Sequence, residues 1–206
     1  MKRGARFLAA AVLLAAGCGG GLKTISRDGY RALLSFSKDE RFPVAVRGES
    51  QRVEAVVERA PLIKILRPDL KKIWQIRPST KRMMESPAKP TDELVPGYPL
   101  SPGFDPQAYA DRFGGRIRRI ADEAHGLHPC DRWEMSLPSG DVVTIWVARD
   151  LERLAVRIEH SKKDSGDEYQ PFASTELLDV RTGADPDLFE RPKGYAEVKT
   201  YAELFR

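Results

Sequence analysis

The sequence predicts a mainly β domain: a half-open antiparallel β-barrel with one short helix and a proline-rich lid segment. Three observations carry that reading. From residue 30 onward, apolar and polar residues alternate or gather in short apolar runs, the pattern of strands. The runs are separated by brief turns such as Pro68-Asp69 and Pro138-Ser139-Gly140-Asp141, so neighbours pair as antiparallel meanders. One stretch, 86–105, carries Pro87, Pro90, Pro96, Pro99 and Pro102, which excludes a helix or a central strand.

The strands follow in order. Residues 30–37 read as the first, and 43–47 as the second, where Pro43 suits a strand start. In 52–58, Val53, Ala55 and Val57 share one face. Residues 62–67 run into the Pro68-Asp69 turn, where proline presets φ and aspartate bonds nearby backbone. The chain returns at 72–76, turns through 77–80 and continues at 81–85. In the second half, 116–121 is a strand. Over 131–137, Trp133, Met135 and Leu137 face one way and Arg132, Glu134 and Ser136 the other. Residues 142–148 are apolar throughout, the signature of a strand covered on both faces. In 154–159, Leu154, Val156 and Ile158 alternate with Ala155, Arg157 and Glu159, and 175–181 is the last strand. Sheet edges must be hidden, which favours strong curvature or partial closure.

Between the halves lies the lid, 86–113. Its apolar residues Leu94, Val95, Tyr98, Leu100 and Phe104 are too many for a solvated linker. Asp105-Pro106 reads as an N-cap followed by proline at the first helical position, and Gly114-Gly115 as the stop. A greasy loop with a short helix is the composition of a cover laid across a sheet. The alternative is two small domains joined by a linker, each with a thin core.

The N-terminus carries an address. Lys2, Arg3 and Arg6 precede a short apolar stretch, as in a secretory signal. Leu14-Ala15-Ala16-Gly17-Cys18 resembles the bacterial lipobox, although Ala15 stands where leucine is commoner. That resemblance implies cleavage before Cys18 and acylation of Cys18 with chains such as palmitate. Several chains, at about 0.8 kcal/mol per buried methylene, hold a protein durably on a bilayer. Gly19-Gly20-Gly21 then forms a flexible tether. By resemblance to the sorting rule of diderm bacteria, Gly19 in place of aspartate implies the outer membrane, with the domain facing the periplasm. Removing residues 1–17 changes 34 basic against 30 acidic residues to 31 against 30. A nearly neutral mature chain has no strong electrostatic claim on nucleic acid. Cys130 remains alone, so no intramolecular disulfide is available. The expected organisation is a signal peptide over 1–17, a lipidated tether over 18–29, a sheet domain over 30–195 and a tail over 196–206.

Three stretches carry a family resemblance. Ile65-Leu66-Arg67-Pro68-Asp69 with Lys72-Ile73-Trp74 and Pro78-Ser79-Thr80-Lys81 resembles a hairpin of LolA/LolB-like envelope proteins. It is nearer still to their uncharacterised outer-membrane lipoprotein relatives. Residues 126–133, around His128-Pro129-Cys130, and 187–195, around Arg191-Pro192-Lys193-Gly194-Tyr195, are similar to two further stretches of those relatives. The resemblance implies a half-open barrel whose concave face is closed by helices and can hold acyl chains. The long helix that precedes the first strand in the carriers has no counterpart, since only 22–27 is available for it.

Chemistry-bearing residues are sparse. His125, His128, Cys130 and His160 offer imidazole and thiolate, but not in a familiar zinc spacing, and the plainer reading is a strand entry with Cys130 buried. No nucleophile elbow, zincin helix, phosphate loop or calcium loop occurs. The expectation is therefore non-catalytic: no cofactor, no metal, and an apolar groove for a lipid or a lipidated partner. The candidate wall is Leu66, Trp74, Trp133, Met135, Trp146 and Ile158. The alternative is a structural or sensory envelope lipoprotein that uses the same sheet to hold a protein partner.

Overall fold

The computed structural model describes residues 24–36, 40–163 and 168–206. Cys18 and the signal segment lie outside them. Among the described residues, the alternating runs become twelve strands in one open sheet that does not close into a barrel. They are β1 (Tyr30–Ser35), β2 (Arg41–Arg47), β3 (Ser50–Val57), β4 (Ala60–Arg67), β5 (Lys72–Arg77), β6 (Arg82–Pro87), β7 (Arg116–His125), β8 (His128–Ser136), β9 (Val142–Ala148), β10 (Leu154–Lys163), β11 (Tyr169–Thr182) and β12 (Ala196–Val198). Three short helices accompany them: α1 (Ile25–Asp28), α2 (Pro106–Arg112) and α3 (Tyr201–Phe205).

The order across the sheet is β12-β6-β5-β4-β3-β2-β1-β11-β10-β9-β8-β7. Two meanders meet in the middle, where β1 pairs antiparallel with β11. The chain must therefore travel from β6, near one edge, to β7 at the other. Ten strand spacings of about 4.8 Å make a path of about 48 Å, which no tight turn can span. This path is the physical reason for the long proline-rich segment, and it argues against a linker between two domains. Its helix starts as its residues dictate. The Asp105 carboxylate accepts from the Gln107 and Ala108 amides at 2.9 and 3.2 Å, and Pro106 follows at the first position.

Alternation divides the apolar residues between two faces. On the inner face, Tyr30, Leu34, Val44, Val46, Ile145 and Ile158 pack with Val95, Tyr98, Leu100 and Phe104 of the crossing segment. On the outer face, Ala45, Ile65, Trp74, Ile76 and Met83 pack with Ala184 and Phe189. The outer cover is the C-terminal segment, held by three arginines that donate to its carbonyls: Arg47 to Ala184 at 2.8 Å, Arg52 to Leu188 at 3.2 Å and Arg67 to Phe189 at 3.0 Å.

Two boundaries differ from the sequence reading. Residues 196–206 are not a tail. β12 adds to β6 in parallel, and α3 is closed by a Thr200–Glu203 capping box with Leu204 fully buried. The domain also begins before residue 30, because Ile25 on α1 is buried in the inner core. Short terminal elements like these gain their stability from docking, so their own sequence signals are weak.

Candidate functional site

The inner face joins both meanders to the crossing segment. Of the six wall candidates, Trp133, Met135 and Ile158 lie on it, whereas Leu66 is buried apart from them on β4, beside Lys71, Ala88 and Pro90. Ile158 stands opposite Ile145, which stands opposite Trp133, and Met135 follows two residues on. Trp74 does not join them, and Trp146 belongs to the same buried core but on the opposite side of β9. Trp74 pairs in register with Ile65 on the outer face and donates its indole N–H to Glu85 at 2.9 Å. Trp146 follows Ile145 and points the other way, with the guanidinium groups of Arg157 and Arg132 at 4.9 and 5.7 Å from its ring centre. Both tryptophans sit on strands covered on both faces. Periodicity there names the strand but not the side.

All five lid candidates do come together. Val95, Tyr98, Leu100 and Phe104 are buried in the inner core and Leu94 packs against it. The cover is held by a few identifiable bonds. Tyr98 donates its hydroxyl to the Ala155 carbonyl at 2.8 Å, and Tyr30 donates to Leu100 at 2.6 Å. Tyr109 on α2 donates to Gly97 at 2.8 Å, which ties the helix to the loop. Burial raises the pKa of all three phenols, that of Tyr109 to about 12, so they remain donors at any physiological pH. Backbone bonds from Gly103 to Glu152 at 2.8 Å and from Phe104 to Arg153 at 2.9 Å fasten the far end. Glu93 and Arg112 form a bidentate ion pair across the lid surface.

Beneath this cover a hollow of about 140 Å³ remains. Tyr98, Tyr109, Phe113, Met135, Ile158 and His160 are among its walls. Its size matches a cavity that holds one benzene ring, roughly 150 Å³. An acyl chain needs more room than that, so it can enter only if lid side chains leave.

His160 is the imidazole in this wall. Burial lowers its pKa from the ordinary value near 6.5. Protonation therefore favours the unfolded chain once the pH falls below about 6.5. Stability is expected to decline from pH 6.5 to 5 in the wild type. The decline should be shallower in His160→Gln, read as urea midpoints across that range. Carboxylates such as Asp69 and Glu85, whose pKa values are lowered by Arg67 and Lys72 respectively, lose their contribution only at more acidic pH.

The imidazoles and the thiol do not converge. His125 contacts Glu176 at 3.0 Å, His128 contacts Asp150 at 2.9 Å, and Cys130 is fully buried with its thiol pKa pushed up by desolvation. Among the described residues, no three His, Cys, Asp or Glu side chains gather as a metal site. No helix among them is long and apolar enough to cross a membrane.

One feature escaped the sequence reading. Leu127, at the tip of the β7–β8 hairpin, is 97% exposed. The signal was an apolar residue beside Gly126 in a two-residue turn, where polar residues are usual. Leu127→Ser is expected to leave the unfolding free energy from urea titration unchanged within about 0.5 kcal/mol, because nothing packs against this side chain.

No family model matches the chain, and no curated protein matches it in sequence. The fold does have relatives of known structure. The chain is similar to an uncharacterized conserved protein from Thermus thermophilus, with 11% identity over 87% of this chain and 92% of that one and a TM-score of 0.52. It also matches MucB in complex with MucA(peri), at 10% identity over 84% of this chain and 57% of that one, TM-score 0.41. A putative outer membrane lipoprotein-sorting protein domain from Vibrio parahaemolyticus matches at 10% identity over 79% and 87%, TM-score 0.20. At 11% identity the first likeness is one of fold alone, and the other two superpose too loosely to carry an argument.

Proposed function

We propose that this chain is a lipid-anchored protein of the bacterial outer membrane, facing the periplasm. In this reading it binds an acyl chain or a lipidated partner on the inner face of its sheet, in the manner of LolA-like proteins, without catalysing a reaction. The observation that carries the reading is the nature of the inner cover. The apolar face of both meanders is closed by a segment without regular structure between Ala88 and Asp105, whose own apolar side chains occupy the place an acyl chain would take. Burying that face is worth roughly 25 cal/mol per Å² whether lid or ligand does it, so the two compete on nearly equal terms. Opening costs a small number of hydrogen bonds, each about 0.5–1.5 kcal/mol net. The lipobox-like stretch ending at Cys18 supports the anchor.

The test uses the full chain carrying Cys18→Ser. Native mass spectrometry of the purified protein and titration with a fluorescent fatty acid should both find an acyl ligand. Tyr98→Phe keeps the ring and removes the bond to Ala155, so it should tighten binding by about two- to tenfold. A protein that is always ligand-free, and that binds no fatty acid in either form, would sink the proposal.

A further inference from the structure

On the outer face, the C-terminal segment covers Ala45 of β2 and contributes Leu188, but it leaves the strip over β11 and β1 beside it open. A recess of about 430 Å³ opens there. Its floor is apolar, made by Leu33, Pro43, Ala45 and Leu188, and its rim is charged. That volume lies within the range of small-molecule sites, roughly 300–1,000 Å³, and an apolar floor with a few polar groups is their usual composition.

The rim has an unusual charge arrangement. Arg31 and Arg181 stand directly opposite each other on β1 and β11. Like charges in that position repel and destabilise a sheet. Neither has a hydrogen-bond or ion-pair partner among the described residues. Arg52, beside them, is already engaged by Glu54 at 2.8 Å. Asp179 then leaves the rim one positive charge in excess.

A backbone device builds this pair. Three residue steps on β11, from Leu178 to Arg181, span the same length as two on β1, from Arg31 to Leu33, so β11 bulges there. Asp179 sits in the bulge at φ +52°, a left-handed conformation that costs a non-glycine residue energy. Without the extra residue, Val180 would face outward and Arg181 inward. With it, Val180 packs on the inner core and Arg181 lines the outer recess beside Arg31.

We infer that this recess binds a single-chain amphiphile with a carboxylate or phosphate head, the head between Arg31 and Arg181 and the chain on Leu33, Pro43 and Leu188. Guanidinium forks match the oxygens of either head. The head supplies the negative charge that the rim lacks. This site is separate from the inner face and stands independently of the function proposed for it.

The experiment is calorimetric titration of the full chain with dodecanoate, dodecyl phosphate, dodecanol, acetate and inorganic phosphate. The chain-bearing anions should bind at least about tenfold more tightly than dodecanol and than the chainless anions. Arg31→Gln/Arg181→Gln should abolish that preference while leaving dodecanol binding unchanged. Its thermal midpoint should be equal to or above that of the wild type, because a repulsion has been removed. Leu33→Trp should fill the recess and weaken both anions. Relative affinity for the two heads assigns the ligand as a carboxylate or a phosphate. Equal binding of dodecanol and dodecanoate, an unchanged double variant, inorganic phosphate binding as tightly as dodecyl phosphate, or a lowered midpoint would each overturn the assignment. Failure of the inner-face reading would instead appear as loss of neutral-chain binding and of the Tyr98→Phe effect.

Discussion

Gly29→Ala should lower the unfolding free energy by about 3–5 kcal/mol, the largest effect expected from adding one methyl group to this chain. Gly29 lies between α1 and β1 at φ 73°, ψ −173°, a region that essentially only glycine enters. A Cβ there would stand 2.2 Å from the Val46 carbonyl oxygen and 3.0 Å from the Arg47 Cβ. Neither neighbour can yield. Val46 is fixed in the β1–β2 ladder, and the Gly29 carbonyl itself accepts from the Gly183 amide at 2.8 Å. That bond, with Ala184 donating to Asp28 at 2.8 Å, starts the C-terminal segment across the outer face. The substitution therefore strains one turn and loosens the cover of the outer core. Gly48→Ala is the control. Its φ is also positive, at 56°, but nothing lies within 4 Å of the added carbon. Urea midpoints of the two variants should differ widely, and a Gly29→Ala protein no less stable than Gly48→Ala would refute the packing argument.

Leu100→Ala should cost about 2–5 kcal/mol and at the same time raise the affinity for apolar ligands. Leu100 is 1% exposed at the centre of the crossing segment, and its carbonyl receives the Tyr30 hydroxyl. Truncation removes buried methyl and methylene groups and leaves a space that the surrounding strands cannot fill by collapsing, because ladder bonds hold them. If the lid stands in for a ligand, that space is where a ligand gains surface. The stability loss alone would follow for any core leucine. The functional claim lies in the joint result: a lower urea midpoint with tighter fatty-acid binding under conditions where the variant is fully folded. Lower stability with unchanged binding would make the lid an ordinary piece of core. Leu154→Ala, also fully buried but on β10, provides the comparison that should lose stability without the larger gain in binding.

How far the sequence could be read depended on what set each feature. The eleven long strands were visible because alternation and turn residues are local, and the Pro68 and Pro78 turns repeat the same punctuation ahead of Lys71 and Lys81, each left-handed at φ 55° and 50°. The helix at 106–112 was visible for the same reason, in its aspartate cap and its proline. In a half-open barrel the aromatic residues that point inward form the wall, and periodicity alone does not say whether Trp74 and Trp146 do so. Their actual face follows from the strand that each one pairs with. The bulge at Asp179 was invisible, since one extra residue in a ladder leaves no mark in composition or periodicity. It nonetheless decides that Arg181 meets Arg31.

The sequence by itself determined that this chain is mostly strand, where each strand turns, and that an apolar, proline-broken segment divides the run in two. Those properties arise from backbone sterics and from contacts between near neighbours. Only the tertiary structure decided that β1 closes against β11, that the dividing segment therefore crosses the full width of the sheet, and that 196–206 becomes an edge strand and helix. Those outcomes depend on pairings between residues far apart in the chain, whose energies come from burying surfaces jointly, and no single segment encodes them.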